Sequence, residues 1–95
     1  MRPHVLFEWD EAKRRSNLRR HGIDFADVSQ RFEDPAVAWT DDRYDYGERR
    51  FLRVGLLHGE VVVVVYTGTD DVIRLISARK ATKDEEIQYF KEIWN

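Results

Sequence analysis

The sequence has 95 residues, 16 basic and 18 acidic side chains, and a formal net charge of −2. A chain of this length suits one domain, so we expect residues 1–95 to fold as a single unit. It contains no cysteine, which excludes disulfides, thiolate zinc sites and thiol nucleophiles. Acidic residues appear within the first ten positions, before any long apolar run. We therefore expect no signal peptide and no membrane partner, and a cytoplasmic protein.

The small net charge hides a strong segregation along the chain. Residues 1–22 carry six basic and three acidic side chains, and residues 49–81 carry the same numbers. Residues 23–48, in contrast, carry two basic and eight acidic side chains. A protein with this pattern can present a basic face to a polyanion. A solvated surface with many salt bridges explains the same pattern, and charge alone leaves both readings open.

The first elements in chain order are a short strand and a charged helix. Residues 6–9 predict a short strand with Phe7 and Trp9 on one face and Leu6 on the other. Asp10 is a good N-cap for a helix that runs through Arg20, and Gly22 suits the left-handed residue that follows a helix end. Asp24 then predicts the N-cap of a second, short helix, which the pair Asp34-Pro35 terminates.

The middle of the chain predicts consecutive strands joined by short turns. Residues 61–65 are all valine, without polar alternation, so this strand is expected to be central and covered on both faces. His58-Gly59 is a plausible two-residue hairpin turn before it. The four predicted strands cover residues 36–40, 49–57, 61–66 and 72–77, with a polar loop at 41–48.

A C-terminal helix completes the pattern. Thr82 and Glu85 have the spacing of a capping box, which predicts that the helix opens there. The order is therefore β-α-α-β-β-β-β-α, and its consecutive hairpins imply an antiparallel sheet with helices packed on it. We expect the α+β class.

The first candidate site lies on the first helix. Lys13, Asn17 and Arg20 share a helical face at four- and three-residue spacing, and His21 borders it. Histidine exchanges protons near neutral pH, so His21 is a candidate general acid or base. A histidine in the last turn of a helix also stabilises it through the helix dipole, and spacing alone favours that structural role.

The second candidate site opens the strand at residues 49–57. Neighbouring strand residues point to opposite faces, so Arg49 is expected on the face of Phe51 and Arg53. The planar fork of arginine suits phosphate recognition. Glu48, just before it, is a candidate base or a residue that orients an arginine. A charged edge strand that discourages aggregation fits these residues equally well.

The third candidate site lies at the end of the last strand. Arg74 sits in an apolar strand and needs either an acidic partner, such as Glu86, or an open face. Arg79 is expected just beyond the strand, near a helix N-terminus that attracts anions. Strict alternation places the two arginines on opposite faces, so a shared site requires a bend after Ser77.

Several catalytic signatures are absent from the sequence. It has no glycine-rich phosphate loop, no HExxH-like histidine spacing, no calcium loop and no GxSxG nucleophile. We therefore expect no metal and no cofactor. A histidine with several arginines suits metal-independent RNA cleavage, in which the ribose 2′-hydroxyl is the nucleophile and the protein transfers protons and stabilises a pentavalent phosphate.

These residues resemble the BrnT family of bacterial toxins, and the match runs in the same order along nearly the whole chain. It begins with Phe7-Glu8-Trp9-Asp10, Lys13 and Asn17, and continues with Arg20-His21-Gly22 and Phe25. Next come Phe32-Glu33-Asp34-Pro35, Glu48-Arg49, the valine strand and Arg74-Leu75-Ile76-Ser77-Ala78-Arg79-Lys80-Ala81. Glu86 and Tyr89 follow in the last helix.

The resemblance implies a RelE-like fold and a ribonuclease that blocks translation. It also implies a type II toxin–antitoxin module in which a BrnA-type antitoxin, carrying a ribbon-helix-helix domain, neutralises the toxin. Operator DNA would be bound only through that complex. A degenerate toxin that acts as a non-catalytic corepressor is the alternative.

Specific roles follow for the candidate residues under the ribonuclease hypothesis. His21 would be the general acid or base, and Arg79 would stabilise the phosphorane charge with help from Arg49 and Arg74. Glu48 is a weaker candidate for the base. Lys13 and Arg20 would hold the RNA backbone.

Overall fold

The computed structural model describes residues 5–42 and 47–94, so residues 43–46 of the expected polar loop lie outside the described residues. The elements follow the predicted order. They are β1 Leu6–Glu8, α1 Glu11–His21, α2 Phe25–Gln30, β2 Ala36–Asp41, β3 Arg50–Leu57, β4 Glu60–Gly68, β5 Val72–Lys80 and α3 Lys83–Trp94.

Side-chain caps begin the helices at the predicted residues. The Asp10 carboxylate accepts a hydrogen bond from the Lys13 backbone N–H, and Asp24 accepts one from Ala26. In α3 the capping box is complete, because Thr82 N–H donates to the Glu85 carboxylate at 2.8 Å and Glu85 N–H donates to the Thr82 hydroxyl at 3.3 Å. These capping hydrogen bonds confirm the predicted helix starts.

Two predicted turns are also confirmed by their backbone. Gly22 ends α1 with a φ of 72°, and its N–H donates to the Leu18 carbonyl at 2.8 Å. His58 and Gly59 have φ values of 51° and 82°, the left-handed pair that a tight hairpin between β3 and β4 requires.

The sheet has the order β1-β5-β4-β3-β2, so β4 is its central strand as predicted. Strands β2 to β5 form an antiparallel meander. The expectation of a wholly antiparallel sheet is wrong for β1, which pairs with β5 in parallel from Leu6 opposite Val72 to Glu8 opposite Arg74. No hairpin joins these two strands, so no local turn sets their direction, and the sheet is mixed.

The valine run of β4 divides its side chains between two cores. Val62 and Val64 belong to the cluster that includes Ile23, Phe25 and Val28 of the segment around α2, whereas Val61 and Val63 belong to the cluster that includes Tyr89 of α3. All four valines are buried. The sheet is therefore covered by α1 and α2 on one side, the α1–α2 face, and partly by α3 on the other side, the α3 face.

No helix within residues 5–42 and 47–94 has the length and apolar character needed to cross a membrane.

Candidate nucleic-acid interface

A β-bulge interrupts the pairing of β5 with β4. Leu75 lies opposite Tyr66 and Ser77 lies opposite Val65, so the strand fits one additional residue, Ile76, between two successive positions of its partner. A bulge of this kind changes which face the following side chains occupy. A shared site for Arg74 and Arg79 required a bend in β5, which was expected after Ser77. The bulge at Ile76 supplies this bend slightly earlier, just before Ser77.

The bulge places Arg74 and Arg79 on the same face of the sheet. Arg74 lies opposite Thr67 and Arg79 lies opposite Val63, four residues apart on β4. Positions four apart on a strand share a face, and directly opposed residues project to the same side. By the strand rise, the two arginines start about 13 Å apart. Val63 belongs to the α3 core, so this is the α3 face.

Arg50 joins the same face from the neighbouring strand. Phe51 lies opposite Tyr66, so the preceding residue, Arg50, is next to Thr67 across the strand pair. Thr67 in turn lies opposite Arg74, so Arg50, Thr67 and Arg74 form one row across the sheet. On its other side Arg50 lies opposite Asp41, which is buried. We call Arg50, Arg74 and Arg79 the arginine face.

Arg74 pairs with a residue that the sequence reading did not suggest. Its Nη1 lies 3.5 Å from the Glu8 carboxylate on β1, and both side chains are about half exposed. The expected partner, Glu86, lies 4.0 Å from Lys83 instead. Arg74 thus combines an acidic neighbour with an open face, and the charge is not buried.

Arg79 lies within β5, not beyond it as predicted, because the bulged strand continues to Lys80. Its Nη1 and Nη2 donate to the two Glu85 carboxylate oxygens at 2.7 and 2.8 Å. The Arg79 guanidinium, together with the Thr82 hydrogen bond, lowers the pKa of Glu85 to about 2. The N-terminus of α3 was expected to form an anion site beside Arg79. In the structure the Glu85 carboxylate of its first turn occupies that place.

Glu48 and Arg49 precede β3 and have exposed side chains. The predicted face for Arg49, shared by Phe51 and Arg53, is the α1–α2 face, since Arg53 lies opposite Val64. Leu52 packs against the α3 core, and residues two apart on a strand share a face. Arg50 is therefore the residue on the face of Arg74, and strand alternation could have predicted this.

His21 lies in a separate cleft at the end of α1. The cleft has a volume of about 270 Å³ and is lined by Asp27, His58, Glu60 and Lys80 among others. His58 Nε2 lies 3.5 Å from the Asp27 carboxylate, and Lys80 Nζ lies 3.3 Å from Glu60. Two imidazoles and an ammonium group around one cleft have the chemistry of an acid–base site.

The structure does not bring His21 together with Arg79. Val62 lines the His21 cleft and belongs to the α1–α2 core, whereas Arg79 projects beside Val63 on the α3 face. The cation that accompanies His21 is Lys80, the next residue along β5. His58 and Lys80 were missed because their approach to His21 depends on the hairpin and on the bulge, neither of which shows in residue spacing.

Lys13 and Arg20 are exposed on α1, and Asn17 between them is buried. Because α1 packs on β5 from the α1–α2 side, these two basic residues lie on the side of the sheet away from the arginine face. In the described part of the chain, no three acidic or histidine side chains are grouped so that they could hold a metal ion.

Comparisons with known proteins agree with this architecture. The family model described as ribonuclease toxin, BrnT, of type II toxin–antitoxin system matches residues 9–85. The 1.1 Å crystal structure of the Brucella abortus ribonuclease toxin BrnT is similar, with a TM-score of 0.68 and 27% identity, over 83% of this chain and 99% of that chain. No curated protein matches the chain. The chain belongs to the BrnT family of ribonuclease toxins of type II toxin–antitoxin systems.

Proposed function

We propose that this protein is a metal-independent endoribonuclease that cleaves RNA on its arginine face and thereby inhibits translation in the cytoplasm. The observation that carries the proposal is the bulge at Ile76, which turns Arg74 and Arg79 to one side, beside Arg50. Guanidinium groups on a partly open sheet face suit successive phosphates of one RNA strand.

The chemistry needs little beyond charge and proton transfer. The ribose 2′-oxygen attacks the adjacent phosphorus and loses its proton to a base, while the 5′-oxygen leaves and takes up a proton, which gives a cyclic phosphate. Arg79 would stabilise the charge of the pentavalent intermediate, with Arg50 and Arg74 holding the neighbouring phosphates. Glu48, exposed before β3, is the proposed base. Arg49, which alternation directs towards the α1–α2 face, would contact RNA only beyond the edge of the arginine face.

The His21 cleft is a second location for the same reaction. It is favoured by one observation, the presence of His21, His58 and Lys80 around one cavity. There the two imidazoles would transfer the protons and Lys80 would stabilise the phosphate charge. Lys13 and Arg20, on the same side of the sheet, would then hold the RNA backbone.

RNA cleavage and growth arrest by four proteins decide between the two locations. We expect Arg79→Ala to lose about 10²–10³-fold in rate, because it removes one transition-state contact, while His21→Ala and His58→Ala stay close to wild type. The opposite ranking would move the reaction to the His21 cleft. Full activity in all three variants would overturn both sites, and a wild type that binds its antitoxin but cleaves no RNA would be a non-catalytic corepressor.

We propose further that a BrnA-type antitoxin with a ribbon-helix-helix domain neutralises the protein and carries the operator contacts of the complex. Membership of a type II family supports a protein antitoxin. The exposed apolar side chains of α3 also support it, since such a concentration marks protein interfaces. They are Ile87, Phe90, Ile93 and Trp94. Co-purification with the product of the neighbouring open reading frame, lost in Phe90→Glu and kept in Gln88→Glu, is the test.

A further inference from the structure

Asn17 connects α1 to β5 through a buried amide. Its Nδ2 donates to the Ala78 carbonyl at 2.9 Å and to the Ile23 carbonyl at 3.1 Å. Its Oδ1 accepts from the Ala78 N–H at 3.1 Å. The residue is 7% exposed, so water cannot take over these hydrogen bonds if the amide is removed.

This amide occupies the place of a missing strand. In the described part of the chain, β1 pairs with β5 from Val72 to Arg74, and the chain then leaves the sheet to enter α1. Beyond that point no strand of residues 5–42 or 47–94 lies beside the outer edge of β5. Asn17 bonds both backbone groups of Ala78, as a neighbouring strand would, and so satisfies this buried edge.

The position of Ala78 gives the contact its importance. It lies two residues after the bulged Ile76 and directly between Ser77 and Arg79. A bulge that moves by one position reverses the faces of the residues it passes, just as a one-residue slip does in any strand. Asn17 therefore restrains Ala78 from the edge of β5 that faces away from β4, and so supports the register in which Arg79 lies opposite Val63.

We infer that Asn17 is a positioning residue for catalysis, because it locks the bulged register of β5 and so holds Arg79 on the arginine face. The inference rests on the proposed function, in which Arg79 acts on the transition state. Asn17 itself, which is buried, touches no RNA in the proposed reaction. Its effect on Arg79 passes through the backbone of Ala78, whereas its hydrogen bond to the Ile23 carbonyl lies at the corner between α1 and α2.

The test compares Asn17→Ala with Val28→Ala, a core truncation on the same side of the sheet that leaves β5 bonded. Asn17→Ser, which retains a hydroxyl but cannot span both groups of Ala78, is the second variant if Asn17→Ala does not fold. We measure kcat and KM at a temperature at which every protein is folded, together with hydrogen exchange of the Ala78 amide. A slip of the bulge would turn Arg79 away from the arginine face, so the loss of kcat should approach that of Arg79→Ala, about 10²–10³-fold.

We expect the Asn17 variants to lose kcat by that amount with KM little changed, and to lose protection at Ala78, whereas Val28→Ala retains both. In the Arg79→Ala background, Asn17→Ala should lower the rate no further, since both substitutions remove the same contribution. Asn17 variants that retain kcat beside an inactive Arg79→Ala protein would overturn the positioning role alone. An active Arg79→Ala protein would overturn the arginine face, and the positioning role with it.

Discussion

Arg79 holds Glu85 in a two-pronged ion pair, with Nη1 and Nη2 at 2.7 and 2.8 Å from the two carboxylate oxygens. The pair joins the last strand to the first turn of the last helix, so it couples the orientation of a candidate catalytic side chain to the position of α3. Bidentate geometry of this kind fixes the plane of the guanidinium as well as its location.

The first prediction concerns the pH dependence of stability. The pKa of Glu85 is about 2 in the folded protein against an ordinary value of 4.5, so its contribution is fully present above pH 4.5 and is lost as the pH falls towards 2. We expect the stability advantage of wild type over Glu85→Gln to shrink in that window. Urea unfolding at a series of pH values measures it.

Glu86→Gln on the same helix is the matched control, since Glu86 only approaches Lys83 at 4.0 Å. Its difference from wild type should change much less with pH. A constant difference between wild type and Glu85→Gln from pH 5 to 2 would contradict the assignment of the low pKa to this pair.

The second prediction concerns Arg53, a buried cation that stabilises the entry to β2. Its Nη2 donates to the Arg31 and Asp34 carbonyls at 3.0 and 2.9 Å, and its guanidinium carbon lies 5.0 Å from the centre of the Phe32 ring. Burial lowers the pKa of Arg53, but these contacts compensate the charge. We expect Arg53→Met to cost about 2–4 kcal/mol, because the Arg31 and Asp34 carbonyls lose a charged donor at partly buried hydrogen bonds.

Arg31→Met provides the comparison for that experiment. Arg31 is exposed and lies 3.9 Å from Asp34, so its loss should cost less than about 0.5 kcal/mol. Both free energies of unfolding come from urea titration. Equal costs for the two substitutions would show that the Arg53 hydrogen bonds contribute little.

The third prediction ranks two glycines. Gly22 has a φ of 72° with no atom within 4 Å of an added Cβ, so Gly22→Ala should cost about 1–2 kcal/mol from the backbone alone. Gly68 has a φ of 144°, and an added Cβ would lie 2.1 Å from the Val72 carbonyl oxygen. Gly68→Ala should therefore lower the thermal unfolding midpoint further than Gly22→Ala, and a smaller shift would be inconsistent with the tight turn before β5.

The fourth prediction uses salt to distinguish the two sides of the sheet. Each phosphate contact with single-stranded RNA contributes about 0.7 to the slope of log affinity against log salt concentration. Arg74→Ala should reduce the magnitude of that slope by this amount, whereas Lys13→Ala should leave it unchanged. Fluorescence anisotropy with a labelled RNA that cannot be cleaved measures the slopes. A reduced slope for Lys13→Ala alone would place the RNA on the α1 side.

Much of the fold could be predicted because its signals are local. Asp10, Gly22, the Thr82–Glu85 box and the His58-Gly59 turn each act within a few residues, and all are found where predicted. The central position of β4 follows from its valines alone. The pairing of β1 with β5 could not be predicted from local patterns. Leu6 and Val72 are far apart in sequence, and the elements between them must pack before the two strands can meet.

The candidate site was less accessible to sequence reading. The bulge at Ile76 inserts one residue without any glycine or proline to mark it, yet it decides the face of Arg79. The face of Arg50 could be predicted, since it alternates with Leu52, whereas the pattern of Arg49, Phe51 and Arg53 leads to the other face. The separation of His21 from Arg79 depends on tertiary packing, so strand and helix periodicity could not reveal it.

The parallel pairing of β1 with β5 has a consequence for how the protein is made. Residues 6–8 pair with residues 72–74, which are far apart in sequence. The entropy cost of closing the long loop between them must be met before the pairing can stabilise the fold. During synthesis the Glu8–Arg74 neighbourhood cannot form until β5 has left the ribosome. A ribosome-bound nascent chain therefore lacks the complete arginine face until β5 has emerged.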